Sequence, residues 1–359
     1  MISTKRLQVF VLAVAWWLLF INDAANINAQ SREGSGRMMF YNVENLFDTI
    51  DDPKTDDDDF TPDGALHWTK SRYRNKREKT SWVISNVGEW GFPSIVGLVE
   101  VEEQRVIHDL LSLPIFQSVH YDYSVTESPD PRGIDVALLW DRDQFEHLSS
   151  REIPHYGTPL SYPLGRDPRT DDEARGMGRN TLWVTLRQKS SDKVLELFVV
   201  HAPSRRAGTR STRDKRIRVL QKVKEVIDDI LTHHPHHHIV VMGDFNDNPS
   251  DASLCTGLGA SGINLDTTIQ PTQLYNLAYP LYKEHKGTHR FQGKLWMPDQ
   301  IIVSGNLFLG DQPLLIERQV TIFQHPTLYT KSGQLHRTYQ GPHYTGGYSD
   351  HLPIYIDLH

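Results

Sequence analysis

From residue 37 to the C-terminus the chain is a succession of short apolar runs, each about the length of a strand, that break off on polar or acidic residues. The run 238–242 leads into Gly243-Asp244-Phe245-Asn246, the run 95–98 into Val99-Glu100, and the run 195–200 into His201-Ala202-Pro203-Ser204. Short apolar runs bounded by turn formers read as buried strands. Aspartate and glutamate are poor strand formers and expensive to bury, so carboxylates at the ends of such strands need a cation, or each other's protons, to compensate them. The pattern therefore requires a sheet-based fold whose chemistry gathers at strand ends, where open α/β sheets bind ligands.

Strands are predicted over 37–41, 95–98, 135–140, 182–186, 195–200, 238–242, 300–304 and 352–357, and helices over 74–89, 104–111 and 213–231. In the last helix Ile217, Leu220, Val223, Val226, Ile227 and Ile230 recur at three- and four-residue spacing, which is a core-facing stripe. No internal repeat or low-complexity linker divides residues 37–359, so one domain is expected there. Residues 1–29 read as a secretory signal peptide: Lys5 and Arg6 precede an apolar run too short to span a bilayer, and small alanines follow. The expected destination is the periplasm or the medium, with no stable membrane insertion after cleavage.

The formal charge of -7, from 45 acidic and 38 basic residues, excludes a protein held on nucleic acid or anionic lipid by bulk charge alone. Cys255 is the only cysteine, which excludes an intramolecular disulfide and a cysteine-rich zinc site. Two other clusters read as solvated loops. The acidic stretch 51–63 lacks the ligand spacing of a calcium loop, and the histidines of 233–238 lie between a helix end and a strand start around Pro235. The basic stretches 70–79 and 205–218 read mainly as solvated helix faces. Arg205 and Arg206 are set apart because they follow His201 so closely, and their guanidinium groups suit bidentate contact with phosphate.

Six phrases carry chemistry: Tyr41-Asn42-Val43-Glu44-Asn45, Val99-Glu100, His201-Ala202-Pro203-Ser204, Gly243-Asp244-Phe245-Asn246, Pro298-Asp299-Gln300 and Ser349-Asp350-His351. Glu100, Glu44 and Asp350 offer hard oxygen ligands suited to magnesium or manganese, and such an ion acts as a Lewis acid for phosphoryl chemistry. Asp244 is placed to orient or deprotonate water, and Asn42 and Asn246 to donate amide hydrogens to phosphate oxygens. His351 paired with Asp299 would be oriented and readily protonated.

Taken in order, these phrases resemble the endonuclease/exonuclease/phosphatase superfamily, the deoxyribonuclease-I-like proteins, across nearly all of the mature chain. Phe40-Tyr41-Asn42-Val43-Glu44-Asn45-Leu46-Phe47-Asp48 and Gly287-Thr288-His289-Arg290-Phe291 are similar to its exported bacterial branch. The resemblance implies a four-layer α/β sandwich, with two mixed β-sheets packed face to face and helices on the outer faces. It implies Glu100 as principal metal ligand, Glu44 as a carboxylate that either binds the metal or supports its ligands, Asp350 as a further metal-side carboxylate, and Asp244 as general base. Asn42 and Asn246 would bind phosphate, Asp299 and His351 would form a pair, and His201 would contact the scissile phosphate. Ser204 stands where abasic-site nucleases carry asparagine, which, with the export signal, argues against chromosomal repair.

The expected function is metal-dependent hydrolysis of phosphodiester bonds, with nucleic acid as substrate and the protein acting as a monomer. A phospholipid, inositol phosphate or sugar phosphate is the alternative substrate, the apolar residues of loop 154–168 being the feature that would serve a lipid. A non-catalytic binding module on the same fold is the third reading.

Overall fold

A computed structural model of the chain describes residues 36–88, 91–155, 178–205, 208–291 and 293–359. The signal peptide at 1–29, Arg206, and residues 156–168 of the apolar loop lie outside these described residues. The chain runs through β1 (Gly36–Leu46), α1 (Lys70–Val87), β2 (Ile95–Val101), α2 (Gln104–Leu111), β3 (Tyr121–Val125), β4 (Asp135–Asp141) and β5 (Phe145–Ile153). It continues with β6 (Thr181–Gln188), β7 (Val194–His201), α3 (Thr209–His233), β8 (His238–Asp244), β9 (Ser261–Gly262), β10 (Leu274–Asn276) and α4 (Tyr279–Lys283). The hairpin β11 (His289–Phe291) and β12 (Lys294–Trp296) precedes β13 (Asp299–Ser304), β14 (Thr321–Ile322), β15 (Tyr339–Gln340), β16 (His343–Tyr344) and β17 (Ile354–Leu358).

Two mixed sheets form, in the orders β14-β17-β1-β2-β4-β3 and β5-β6-β7-β8-β13-β10-β9. Their central strands are apolar on both sides, which is what a strand covered on both faces demands. In β1, Met38 and Phe40 join Leu197, Val240 and Ile301 in the core between the sheets. Met39 and Tyr41 instead pack outward against Val83 and Ile84 of α1 and Val106 and Ile107 of α2. On the far side, Val219, Leu220, Val223 and Ile227 of α3 cover Phe198, Ile239 and Val241. Each such fully buried aliphatic contributes roughly 1.5–3 kcal/mol relative to exposure. The result is the expected four-layer α/β sandwich, helix-sheet-sheet-helix.

The sequence expectations for strands fall within five residues of the observed ends, and α2 coincides with its expected range. The strands β3 and β5 lie at sheet edges and were not legible: β5 is largely exposed and carries Glu146, His147, Ser149, Ser150, Arg151 and Glu152. Edge strands are kept polar against further pairing, so they lack the apolar run that marks a central strand. Ile217 is only half-buried, whereas Arg216 is fully buried beside it on α3. Among the described residues no helix is long and apolar enough to cross a membrane.

Gly243 shows how tightly the second sheet is set. A Cβ there would lie 2.1 Å from the carbonyl oxygen of Val200 on the neighbouring strand. Gly91, by contrast, has no atom within 4 Å of such a carbon. Gly243→Ala is expected to lower unfolding free energy by about 1–3 kcal/mol, as overpacking does, and Gly91→Ala to stay within about 0.5 kcal/mol, both read by urea denaturation.

Candidate active site

The strand pairing places three polar side chains in one row. His201 at the end of β7 is the register partner of Asp244 at the end of β8, and Asp244 is the partner of Asp299 at the start of β13. On the other sheet, β1 and β2 run parallel with Asn42 opposite Val99, and the ladder then breaks into bulges. The bulges hold Glu44 at φ 55°, Asn45 at φ 59° and Glu100 at φ 64°, and Asn246 stands at φ 50° beyond β8. Four of the seven non-glycine residues with positive φ among the described residues thus belong to this edge. A left-handed backbone is unfavourable outside glycine and asparagine and costs on the order of 1–3 kcal/mol. Here it turns side chains off the sheet toward the gap between the two sheets.

Asn42 joins the halves. Its Nδ2 donates to Glu100 Oε1 at 3.2 Å and to Asp244 Oδ2 at 3.1 Å, while its Oδ1 accepts the backbone N–H of Glu44 at 2.9 Å. Ser349 donates to the carbonyl of Asn42 at 2.8 Å and accepts the N–H of His351 at 3.0 Å, which ties the C-terminal phrase to β1. His351 Nδ1 lies 2.8 Å from Asp299 Oδ2, which also accepts from the Thr288 hydroxyl. The ring of His289 stacks on His351 at 4.4 Å. Across the same space, His351 Nε2 is 4.0 Å and His201 Nε2 3.7 Å from Asp244 Oδ2.

These contacts set opposed protonation states. Burial pushes the Asp244 carboxyl up to about 7, with His351 pulling in the other direction. Burial disfavours the His351 imidazolium, but the charge and hydrogen bond of Asp299 outweigh it and hold the imidazole well above its ordinary value. His201 is driven the opposite way, first by burial and then by the Arg179 guanidinium, so it is neutral. Asp350 resists the effect of burial through His351 and Arg337, which keep its carboxyl below the usual range.

A cavity of about 480 Å³ opens over this edge, with Glu100, His201, Asp244, Asn246, Asp350 and His351 in its wall. Of the expected site residues, Asn42 and Asp299 lie beneath it and hold that wall in place. For Glu44 the structure favours the supporting role over metal ligation, and Arg205 is placed differently from the expectation. Glu44 is buried and accepts from Arg337 Nε at 3.0 Å and from the Thr338 N–H at 2.7 Å, so both oxygens are engaged away from a metal. Burial and repulsion from Asp350 push its carboxyl up to about 7. Arg205 donates from Nε to the Asn246 carbonyl at 2.6 Å and from Nη2 to Asp247 and Asp251, and it stacks over Trp296. It buttresses the Asn246 loop rather than presenting a free fork to phosphate. Arg206, expected beside it, is not among the described residues.

Sequence reasoning missed the cations that hold this edge together. Lys76, in a stretch read as a solvated face, is buried and donates to Thr338 at 2.6 Å and to the Tyr348 carbonyl at 2.7 Å. Its spacing with Tyr73, Thr80 and Val83 on the inner side of α1 was the available signal. Arg337 bridges Glu44 and Asp350 from a loop with no periodic pattern. The other clusters stay apart from the site: His237 bonds Glu196, and Asp57 accepts from Asp52 and Thr55 within its own turn.

The donor set fits a hard divalent ion. The carboxylates of Glu100 and Asp244 crowd one amide of Asn42, and with His201 they bring ligand atoms within 4.8 Å of one another. Such crowding of like charge is relieved by a cation.

A sequence profile described as the Endonuclease/Exonuclease/phosphatase family matches residues 37–359. The chain belongs to this family. Its members are hydrolases acting on phosphate esters and are divalent-metal dependent. No curated protein matches the chain in sequence. Among solved structures, truncated Caenorhabditis elegans TDP2 superposes with a TM-score of 0.53 at 17% identity, over 90% of this chain and 97% of that one. Humanized D. rerio TDP2 does so at 0.52 and 15%, covering 91% and 100%. The mannosyl-6-phosphatase of Bacteroides thetaiotaomicron VPI-5482 gives 0.52 and 15%, covering 90% and 99%. At such identities these likenesses speak to the fold.

The Asp299–His351 pair gives a direct test. In the protein without metal, the His351 imidazole is expected to stay charged across neutral pH by NMR titration. In Asp299→Asn it should lose its proton at lower pH than in the wild type, because the largest charge opposing burial is gone while Asp244 and Asp350 remain. An unchanged titration would show that Asp299 does not set its charge.

Proposed function

We propose that this family member is a magnesium-dependent phosphodiesterase, exported to the periplasm or the medium, that hydrolyses nucleic acid as a monomer. The observation that supports the reaction most strongly is the pairing of Asp244 with His351 across 4.0 Å in one cavity, one group poised to lose its proton near neutrality and the other held charged. Groups pushed apart in this way divide acid and base roles between them.

In this reading the phosphate enters the cavity between Asp244, Asn246 and His351. Asp244, ionised, orients a water and takes its proton as the oxygen attacks phosphorus and the ester bond breaks. His351 Nε2 donates to a phosphate oxygen as charge develops there, and Asp299 keeps Nδ1 protonated and the ring fixed. Asn246 fixes its amide through the Ala202 carbonyl at 3.0 Å, which leaves its second amide hydrogen for the substrate. Neutral His201 can donate or accept beside Glu100 without adding a second cation. Glu100, with Asp244 or Asp350, would hold magnesium, which supplies a Lewis acid for the phosphate and the leaving oxygen when bound. Arg337 keeps Asp350 ionised and in place.

A second reading, a small phosphate ester such as a sugar phosphate, is favoured by one feature. Arg132, Arg179 and Arg290 all lie in the wall of a single cavity. A panel of supercoiled DNA, single-stranded RNA and a hexose 6-phosphate, each with magnesium, separates the two. Asp244→Asn is expected to lower turnover of the true substrate by about 10²- to 10⁴-fold, the usual contribution of a general base, and chelation to abolish it. Cleavage that survives Asp244→Asn would overturn the assignment. Recovery of the protein from the cytoplasm alone would overturn export.

A further inference from the structure

The reaction leaves one ring in the cavity wall without a part. His289, at the start of β11, is half-buried, lines the cavity and stacks on His351 at 4.4 Å. Its Nδ1 lies 2.8 Å from the backbone carbonyl of Asp350, and because a carbonyl oxygen only accepts, Nδ1 carries the proton. Burial, and then the charge of the stacked His351, hold the imidazole below its ordinary value, so the ring is neutral and Nε2 keeps its lone pair. Among the described residues Nε2 makes no hydrogen bond, and it is not cut off from solvent. The cavity is where that lone pair can be met.

We propose that His289 Nε2 accepts from a hydroxyl group that the substrate carries beside its phosphate ester, which makes His289 a specificity-determining residue. The inference rests on reading the cavity as a phosphate-ester site. Ionised phosphate oxygens accept hydrogen bonds and cannot donate them, so a lone pair beside them stays unpaired, at a cost, unless the substrate brings a donor. Magnesium prefers oxygen ligands and leaves the imidazole nitrogen to the substrate. A hydroxyl on the carbon next to the ester carbon answers this, its O–H donating to Nε2 while the phosphate stays with Asn246 and His351. The hairpin suits what carries such a hydroxyl. His289 and Phe291 alternate to one face of it, and Trp296 is the register partner of His289. Phe291 is 42% exposed and borders the cavity together with Trp296. An aromatic wall with one placed acceptor packs against the carbons of a sugar and orients its hydroxyl. Two sources share this chemistry: the ribose of RNA, whose 2′-hydroxyl separates it from DNA, and a hexose phosphate.

The test is calorimetric titration of the magnesium-loaded protein with 3-hydroxypropylphosphonate and with propylphosphonate, two ester mimics that cannot be hydrolysed and differ in the hydroxyl alone. The hydroxylated probe is expected to bind about 3- to 10-fold more tightly, the net worth of one hydrogen bond. His289→Asn keeps a donor where Nδ1 meets the Asp350 carbonyl but withdraws the acceptor, so a merely structural role would survive it. It is expected to bring the ratio within about 1.5-fold, the bond being lost, and His289→Phe to do the same, while His289→Gln, whose amide reaches the Nε2 position, restores the preference. Equal binding of the two probes by wild type, or a ratio untouched by His289→Asn, overturns the inference and leaves the ester site standing. A ratio that collapses in His289→Asn while no phosphate ester is hydrolysed sinks the hydrolase reading and leaves the hydroxyl contact standing. The sources are separated by kcat/KM for a diribonucleotide against its 2′-deoxy counterpart and for a hexose 6-phosphate against its 4-deoxy counterpart. Discrimination that His289→Asn removes from the first pair alone assigns ribose, and from the second alone a hexose.

Discussion

The register between β7, β8 and β13 is the constraint on which the site depends. Pairing His201 with Asp244 and Asp244 with Asp299 fixes three polar side chains in one row at one end of a sheet whose core-facing side chains are largely apolar. A slip of one residue on any of these strands would turn its polar side chain to the opposite face. Gly243 enforces the register from within, because only a residue without a side chain lets β8 approach Val200 so closely. The first sheet could not supply the remaining groups in the same way. Its side chains at this edge must leave the pleat, and the bulges at Glu44 and Glu100 turn them out of it.

Electrostatics then make the edge reactive. Asp244, Asp299, Glu100, Glu44 and Asp350 converge within a space that also holds His351, Lys76 and Arg337. Each carboxylate is settled differently: Asp299 by His351 and Thr288, Asp350 by Arg337, Glu44 by Arg337 and a backbone N–H. Asp244 accepts the Asn246 N–H at 2.9 Å and the Asn42 amide at 3.1 Å but meets imidazoles no nearer than 3.7 Å, and it is the one raised to about 7 while facing the cavity. Glu44, raised as far, is sealed off by its own hydrogen bonds and serves to hold Arg337. Exposure to the cavity, rather than the size of the shift, is what separates a reacting group from a supporting one.

Much of this was legible from residue types alone, for a physical reason. A carboxylate ending an apolar strand is a conflict between burial and charge, so Glu100, Asp244 and Asp299 stood out against their runs, and the central strands were readable because both faces are covered. The edge strands β3 and β5 were not, since their outward faces are polar. The supporting cations escaped for another reason. Lysine and arginine are usual on helix faces and in loops, so Lys76 and Arg337 look ordinary until the fold brings them to carboxylates some 30 and 290 residues away in sequence. Arg205 failed in the reverse direction: adjacency to His201 in sequence suggested substrate contact, but the chain turns at Pro203, and its guanidinium finds Asp247 and Asp251 first.

That failure clarifies how the arginines divide their work. Arg205 and Arg337 each meet two carboxylates and are neutralised within the protein, so they shape the cavity without drawing in anions. Arg132 and Arg179 meet Asp130 only at 3.9 and 3.5 Å, and Glu100 and Asp244 also act on Arg179 beside His201. Their influence already reaches the chemistry, because Arg179 and then Arg132 reinforce burial in keeping His201 neutral. One uncharged imidazole thus stands within reach of both the Arg179 guanidinium and the carboxylates of Glu100 and Asp244, which lets it sit beside the reacting groups without adding a cation to them.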